Sequence, residues 1–170
     1  MLRPQKPWFF DEMRFGTRTV IGRRWTRCGH RPACPMKYGF CYNYLYQAVQ
    51  PATGRAFEMF LPRMDGECFR LFLEGFSGLY PGQCLIMDNA GSHKTTLDTS
   101  LSGKVDIAYL SPYSPDFNPQ ERLFQEIKTT IKGKFFHQIA PMEEVVEKKV
   151  KALATNPEKV KKLTAWHWIV

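Results

Sequence analysis

The sequence predicts an α/β fold: one mixed sheet of five strands with helices on both faces. Three observations carry this expectation. Apolar or aromatic β-prone stretches follow one another at residues 7–10, 38–49 and 56–61. A helical stripe then appears at residues 66–79. After it, short apolar strands at 84–87 and 105–110 alternate with helical segments. Strands in succession give an antiparallel meander, and strands alternating with helices give crossovers that cover the sheet.

Each element has a local reason. Pro7-Trp-Phe-Phe10 reads as a buried strand ending at Asp11. Residues 15–37, rich in Arg, Gly and Pro, read as a hairpin or basic loop. Tyr38 to Val49 is aromatic and β-prone, Pro51 to Gly54 turns the chain, and Ala56 to Leu61 returns as a strand. Asp65 caps a helix whose Phe69, Phe72, Leu73, Phe76 and Leu79 recur every three or four residues, the spacing of a core-facing stripe. Pro81-Gly82 turns into Cys84–Met87, which ends at Asp88. A short helix is expected over Ser92–Leu101, and a strand over Val105–Leu110. A Pro-rich loop follows, then a helix from Pro119 to Phe135, a second from Met142 to Ala154, and a basic tail. The division is a catalytic domain over residues 1–155 and a C-terminal tail over 156–170.

The 170 residues suffice for one domain with a real core. Hydrophobic residues make up 44% and no long biased tract occurs, which excludes wholesale disorder. A net charge of +8 and a pI near 9.3 lean toward a polyanionic partner. No apolar N-terminal core segment marks a signal peptide, and no run of about 18 apolar residues marks a membrane span. Five cysteines at irregular spacing fit free thiols in a reducing cytoplasm. Cys28, His30, Cys34 and Cys41 match no standard zinc spacing.

Three acids fall at ends of predicted elements: Asp11 after one strand, Asp88 after another, Glu121 at the start of a long helix. Strand ends in α/β sheets face the ligand crevice. Carboxylates suit Mg²⁺, which takes hard oxygen ligands and keeps several waters. Two such ions about 3.5–4 Å apart activate a nucleophile and stabilise a leaving oxygen in phosphodiester attack. Each acid also has a plainer reading. Asp11 and Asp88 suit turns, and Glu121 suits a capping box with Asn118 as N-cap and Pro119 at the first helical position.

Taken together, the segments Asp11-Glu-Met-Arg-Phe-Gly16, Asp88-Asn-Ala-Gly-Ser-His93 and Ser111-Pro-Tyr-Ser-Pro-Asp-Phe-Asn-Pro-Gln-Glu-Arg122 resemble the DDE transposases of the mariner-like superfamily. The bacterial insertion-sequence branch is the most similar. Gly22-Arg-Arg-Trp25, Gly29-His-Arg-Pro32 and Tyr44-Leu-Tyr-Gln-Ala-Val-Gln-Pro-Ala-Thr-Gly54 resemble it too. Thirty-two residues separate Asp88 from Glu121, close to the family's interval. The resemblance spans about residues 8–150. It implies a ribonuclease H-like fold and a catalytic, metal-binding triad of Asp11, Asp88 and Glu121. Two Mg²⁺ ions, replaceable by Mn²⁺, would be held there. Asn89 and His93 are implied as active-site support. The implied reaction is hydrolysis of one DNA strand at an element end, then attack of the freed 3′-OH on target DNA.

Arg14, Arg23, Arg24, Trp25, Arg27 and Arg31 precede or line the basic loop and are the DNA-binding candidates, for phosphates and unpaired bases. The partners implied are DNA, a second copy of the chain, and a separate helix-turn-helix DNA-binding half, since only ten residues precede Asp11. The expected location is a bacterial cytoplasm, at the nucleoid. A second reading stays open: a truncated or recycled remnant that binds DNA or a partner protein without catalysis.

Overall fold

A computed structural model describes residues 6–23, 25–89, 104–112 and 114–169. The expected helix over Ser92–Leu101 lies outside them, as do Arg24 and His93. Five strands form one sheet: β1 (Trp8–Gly16), β2 (Tyr42–Gln50), β3 (Arg55–Leu61), β4 (Gln83–Met87) and β5 (Val105–Tyr109), in the order β3-β2-β1-β4-β5. β1 pairs antiparallel with β2, and β2 with β3, whereas β1–β4 and β4–β5 are parallel. The expected mixed five-stranded α/β sheet is what the chain forms.

Alternation along β1 builds two cores. Trp8 and Phe10 point to one face, where α1 (Gly66–Leu79) lays down Phe69, Phe72, Leu73 and Phe76. Phe10 and Phe72 stand 4.6 Å apart between ring centroids, and Trp8 meets Phe76 edge-on at 5.2 Å. Phe9, Met13 and Phe15 point to the other face. There α2 (Gln120–Lys128), α3 (Ile139–Ala154) and α4 (Pro157–Thr164) bring Leu123, Phe124, Ile127, Val146, Val150 and Val160. Helices thus cover both faces. Asp65 caps α1 as expected, its carboxylate accepting from the Cys68 N–H at 2.9 Å.

Several boundaries differ from the sequence expectation, each for a physical reason. β1 does not stop at Asp11 but runs five residues further to Gly16. Pairing with β2 continues to Gly16↔Tyr42, and Met13 and Phe15 still bury. β2 starts at Tyr42, not Tyr38, because β1 has no residues left to pair. Tyr38 and Phe40 stay exposed in the loop, whose stem holds through Thr17 N–H to the Cys41 carbonyl and Thr19 N–H to the Lys37 carbonyl. Leu79 ends α1 beyond the buried stripe and is exposed. α2 ends at Lys128, seven residues short of Phe135. The Thr129 and Thr130 hydroxyls bond back to the Glu126 and Ile127 carbonyls, and Gly133, at φ 68°, turns its N–H to the Val20 carbonyl.

α3 begins at Ile139, three residues before Met142, since a proline at its third position needs no intrahelical N–H partner. The segment expected as a basic tail carries α4, capped by Asn156 and anchored by fully buried Val160. Its start rests on the β2–β3 turn. Gly54, at φ 72°, sits where a side chain would run into the Pro157 carbonyl.

One acid ties the three helices of this face together. Glu126 on α2 accepts from Lys149 of α3 at 2.7 Å and from Lys159 of α4 at 2.8 Å. Lys149 first, then Lys159, draw the Glu126 carboxyl from the ordinary 4.5 down to about 2. A depressed carboxylate stabilises the fold above its unfolded value and loses that contribution as pH falls through the folded one. Allowing for solvent screening, Glu126→Gln should cost about 1 kcal/mol at neutral pH. In thermal melts of parent and variant the gap in Tm should be widest above pH 5 and close between about pH 4.5 and 2.

Candidate active site

β4 holds only two registered pairs with β1, Trp8↔Leu85 and Phe9↔Ile86. Carrying that register two residues on sets Asp11 across from Asp88, just past the end of β4. Asp11 therefore sits in mid-strand yet at the point where β1 runs beyond its parallel neighbour. The crevice beyond the carboxyl end of β4 opens there, as the rule for α/β sheets requires. Asp88 and Asn89 are exposed at that end.

Asp11 is half-buried, on the face covered by α2. Its Oδ1 accepts the Glu12 N–H at 2.8 Å. Burial pushes its carboxyl up to about 7, against the pull of that hydrogen bond, and the negative charges of Glu12, Glu121 and Asp88 push it further. The sequence placed these acids on three separate elements, and the fold brings Glu121 and Asp88 within electrostatic reach of Asp11. Among the described residues, no three His, Cys, Asp or Glu side chains stand close enough to form a ready metal shell.

Glu121 is the second residue of α2 and lies three places after Asn118, the spacing of a capping box. Asn118 does the capping alone: its Oδ1 accepts from the Gln120 N–H at 3.1 Å, and its carbonyl accepts from the Glu121 N–H at 3.2 Å. Among the described residues no reciprocal bond runs from the Glu121 side chain to the Asn118 N–H, so the carboxylate is not spent on the cap. The buried Asn118 amide also donates to the Phe10 carbonyl at 3.0 Å, pinning the helix start to the residue before Asp11. The sequence showed the cap but not this tie to β1.

A cleft of about 480 Å³ runs beside Glu121, lined by Asp116, Asn118, Glu121, Arg122, Gln125 and Trp166. Trp166 comes from the segment after α4, where Trp168 packs edge-on against Phe117 at 5.7 Å between centroids. Trp166 therefore forms a wall of the cleft, a role nothing in its sequence context signalled.

The basic candidates divide. Arg14 is exposed on β1 with its guanidinium 4.7 Å from the centre of the Tyr42 ring. Arg23, Trp25, Arg27 and Arg31 are exposed on the loop between β1 and β2, and Trp25 is fully exposed among the described residues. Cys28, Cys34 and Cys41 on the same loop are exposed free thiols. Among the described residues no helix is long and apolar enough to cross a membrane.

Comparison with known proteins agrees with this architecture. The fold is similar to that in the crystal structure of the Mos1 strand transfer complex, with a TM-score of 0.64 at 15% identity, covering 95% of this chain and 54% of that one. The Mos1 mariner paired end complex with Mn gives a TM-score of 0.65 at 14% identity, covering 94% and 54%. The Mos1 paired end complex with Mg gives 0.62 at 15%, covering 94% and 53%. The chain thus spans about half the length of the structures it matches, and the shared fold is the ribonuclease H-like one of their catalytic domain. No curated protein sequence matches the chain. Residues 6–143, most of the sequence, match the family of DDE superfamily endonucleases, and the chain belongs to that family.

Proposed function

We propose that this chain is the catalytic domain of a DNA transposase, cleaving DNA and joining the freed 3′-OH to a target with divalent metal ions held by Asp11, Asp88 and Glu121. The observation that carries the reading is the place of Asp11, where β1 runs past the end of β4 and faces Asp88 across the crevice. A half-buried acid at the crevice, with two further acids from separate elements acting on it, is chemistry that a hard cation resolves. The donor set is all carboxylate oxygen, which suits Mg²⁺ and Mn²⁺, the metals named for the Mos1 complexes. Asp11, Asp88 and Glu121 would hold the ions, two in number.

Bound there, the ions would supply activation of a water or 3′-OH and neutralisation of the leaving oxygen. The chain supplies the rest. Asp11, held by the Glu12 N–H, gives a fixed carboxylate on the central strand. Glu121 reaches from the first turn of α2, and Asp88 and Asn89 face solvent where a DNA strand would pass. Asn89 orients the neighbouring carboxylate, and His93 contacts the scissile phosphate. Arg14, Arg23, Arg24, Arg27 and Arg31 neutralise backbone phosphates, and Trp25 offers a free face for an unpaired base. DNA is the substrate, acted on by paired copies of the chain together with a helix-turn-helix half that reads element ends.

Purified protein with Mn²⁺ or Mg²⁺ should nick a labelled duplex. Asp88→Asn, Asp11→Asn and Glu121→Gln should each lower the rate by a factor on the order of 10²–10³. Folded protein inert with both metals would favour the remnant reading instead.

The metal-free protein offers a second check. An acid with a raised folded pKa contributes stability that is complete below its ordinary value of 3.8 and is lost as pH rises through about 7. In EDTA the parent should therefore weaken from pH 4 to pH 8. Asp11→Asn should be the more stable at pH 8, by on the order of 2–4 kcal/mol, and equal to it near pH 4. Mn²⁺ at about 100 times its Kd should raise the parent Tm at pH 8 by roughly 5–10 °C and leave that of Asp11→Asn nearly unmoved.

A further inference from the structure

Asp11, Gln47 and Glu58 are register partners across β1, β2 and β3. Partners in antiparallel pairing share a face, so the three side chains form one polar row beneath α2. Gln47 is buried, and so is Gln120, the residue just before Glu121. The Gln120 Nε2 donates to the Gln47 Oε1 at 2.6 Å inside the core. Glu58 closes the far end of the row: burial raises its carboxyl, and the Gln47 amide partly offsets the rise.

This arrangement is costly for a fold that only needs packing. Buried amides lose hydration, and the Gln120 Oε1 and Glu58 Oε2 have no hydrogen-bond partner among the described residues. Apolar residues of like shape at both glutamine positions would fill the space without that loss. What they would not supply is direction. Asn118 pins the start of α2 to β1 at one point, the Phe10 carbonyl. Buried Leu123, Phe124 and Ile127 and the Glu126 ion pairs hold the rest of the helix, so the setting of its first turn depends on its anchors to the sheet. The Gln47–Gln120 bond adds a second point on β2, level with Asp11, and a short bond in a low-dielectric core resists displacement.

We propose that Gln47 and Gln120 are positioning residues, a buried amide clamp that sets the Glu121 carboxylate at its working distance from Asp11 for metal binding. The proposal rests on the three-acid reading above. The test is Mn²⁺ affinity, measured by the electron paramagnetic resonance signal of free Mn²⁺ in titrations of the full chain, alongside melts in EDTA. Gln47→Leu, Gln120→Leu and the double variant should each bind Mn²⁺ about tenfold more weakly, the scale of outer-shell losses at metal sites. The double variant, which removes both amides together but takes from Glu58 its bond to the Gln47 amide, should melt in EDTA several degrees below the parent, remain folded and keep the weak affinity. That combination separates positioning from stability and does not depend on either single variant folding well. Parent-like Mn²⁺ affinity in the folded double variant, with Glu121→Gln weakened, would overturn the clamp alone. Unchanged Mn²⁺ binding in Glu121→Gln would overturn the three-acid reading and the clamp with it.

Discussion

The structure turns on a constraint at β1. This strand is central, covered by helices on both faces, and still carries a carboxylate at its fourth residue. A central strand is where apolar side chains stabilise the fold most, and there an ionised acid is most expensive. The chain meets both demands by ending β4 early. Phe9 is paired on both sides, with Val49 and with Ile86, and Asp11 lies where the parallel neighbour has stopped. The acid is thus held by the central strand and still opens on one side to the crevice. Its raised carboxyl is the residue of that compromise.

The other face of the same strand shows how little freedom remains. The α1 side is a nearly continuous aromatic layer in which Trp8, Phe10, Phe57, Phe72 and Phe76 meet ring to ring. The α2 side is aliphatic near α3 and α4 and polar near Asp11, where Asn118, Gln47 and Gln120 are buried. Glu126 then locks the three helices of this side to one another at a distance from the acids. Packing holds the sheet, ion pairing holds the helix layer, and hydrogen bonds hold the corner where chemistry is proposed.

Much of this was legible in the sequence because it rests on local periodicity. The stripe of α1 and its Asp65 cap, the short apolar β4 and β5, and the Asn118-Pro119 helix start all read directly. What failed to read was set by partners distant in the chain. β1 looked finished at Asp11 because charges interrupt its apolar run, yet β2 supplies hydrogen bonds to Gly16. α4 looked like a solvated basic tail because its lysines outnumber its apolar residues, yet buried Val160 and Thr164, core-packed Leu163 and the Lys159–Glu126 ion pair dock it. The acids themselves were visible as motifs, while Gln47 and Gln120 were not. A glutamine inside an aromatic strand was the one available signal for the first, and for the second there was none beyond its place beside Glu121.

The long connection from Gly16 to Tyr42 crosses from one central strand to its neighbour almost wholly in solvent, with its stem closed by a few backbone bonds. Closure entropy grows only with the logarithm of loop length, so doubling such a segment costs about 0.6 kcal/mol. Most of its side chains bury nothing, so most substitutions there spare the core as well. Selection on this stretch is therefore nearly uncoupled from selection on the fold. Its length and composition answer to whatever molecule it meets more than to the packing of the sheet beneath it.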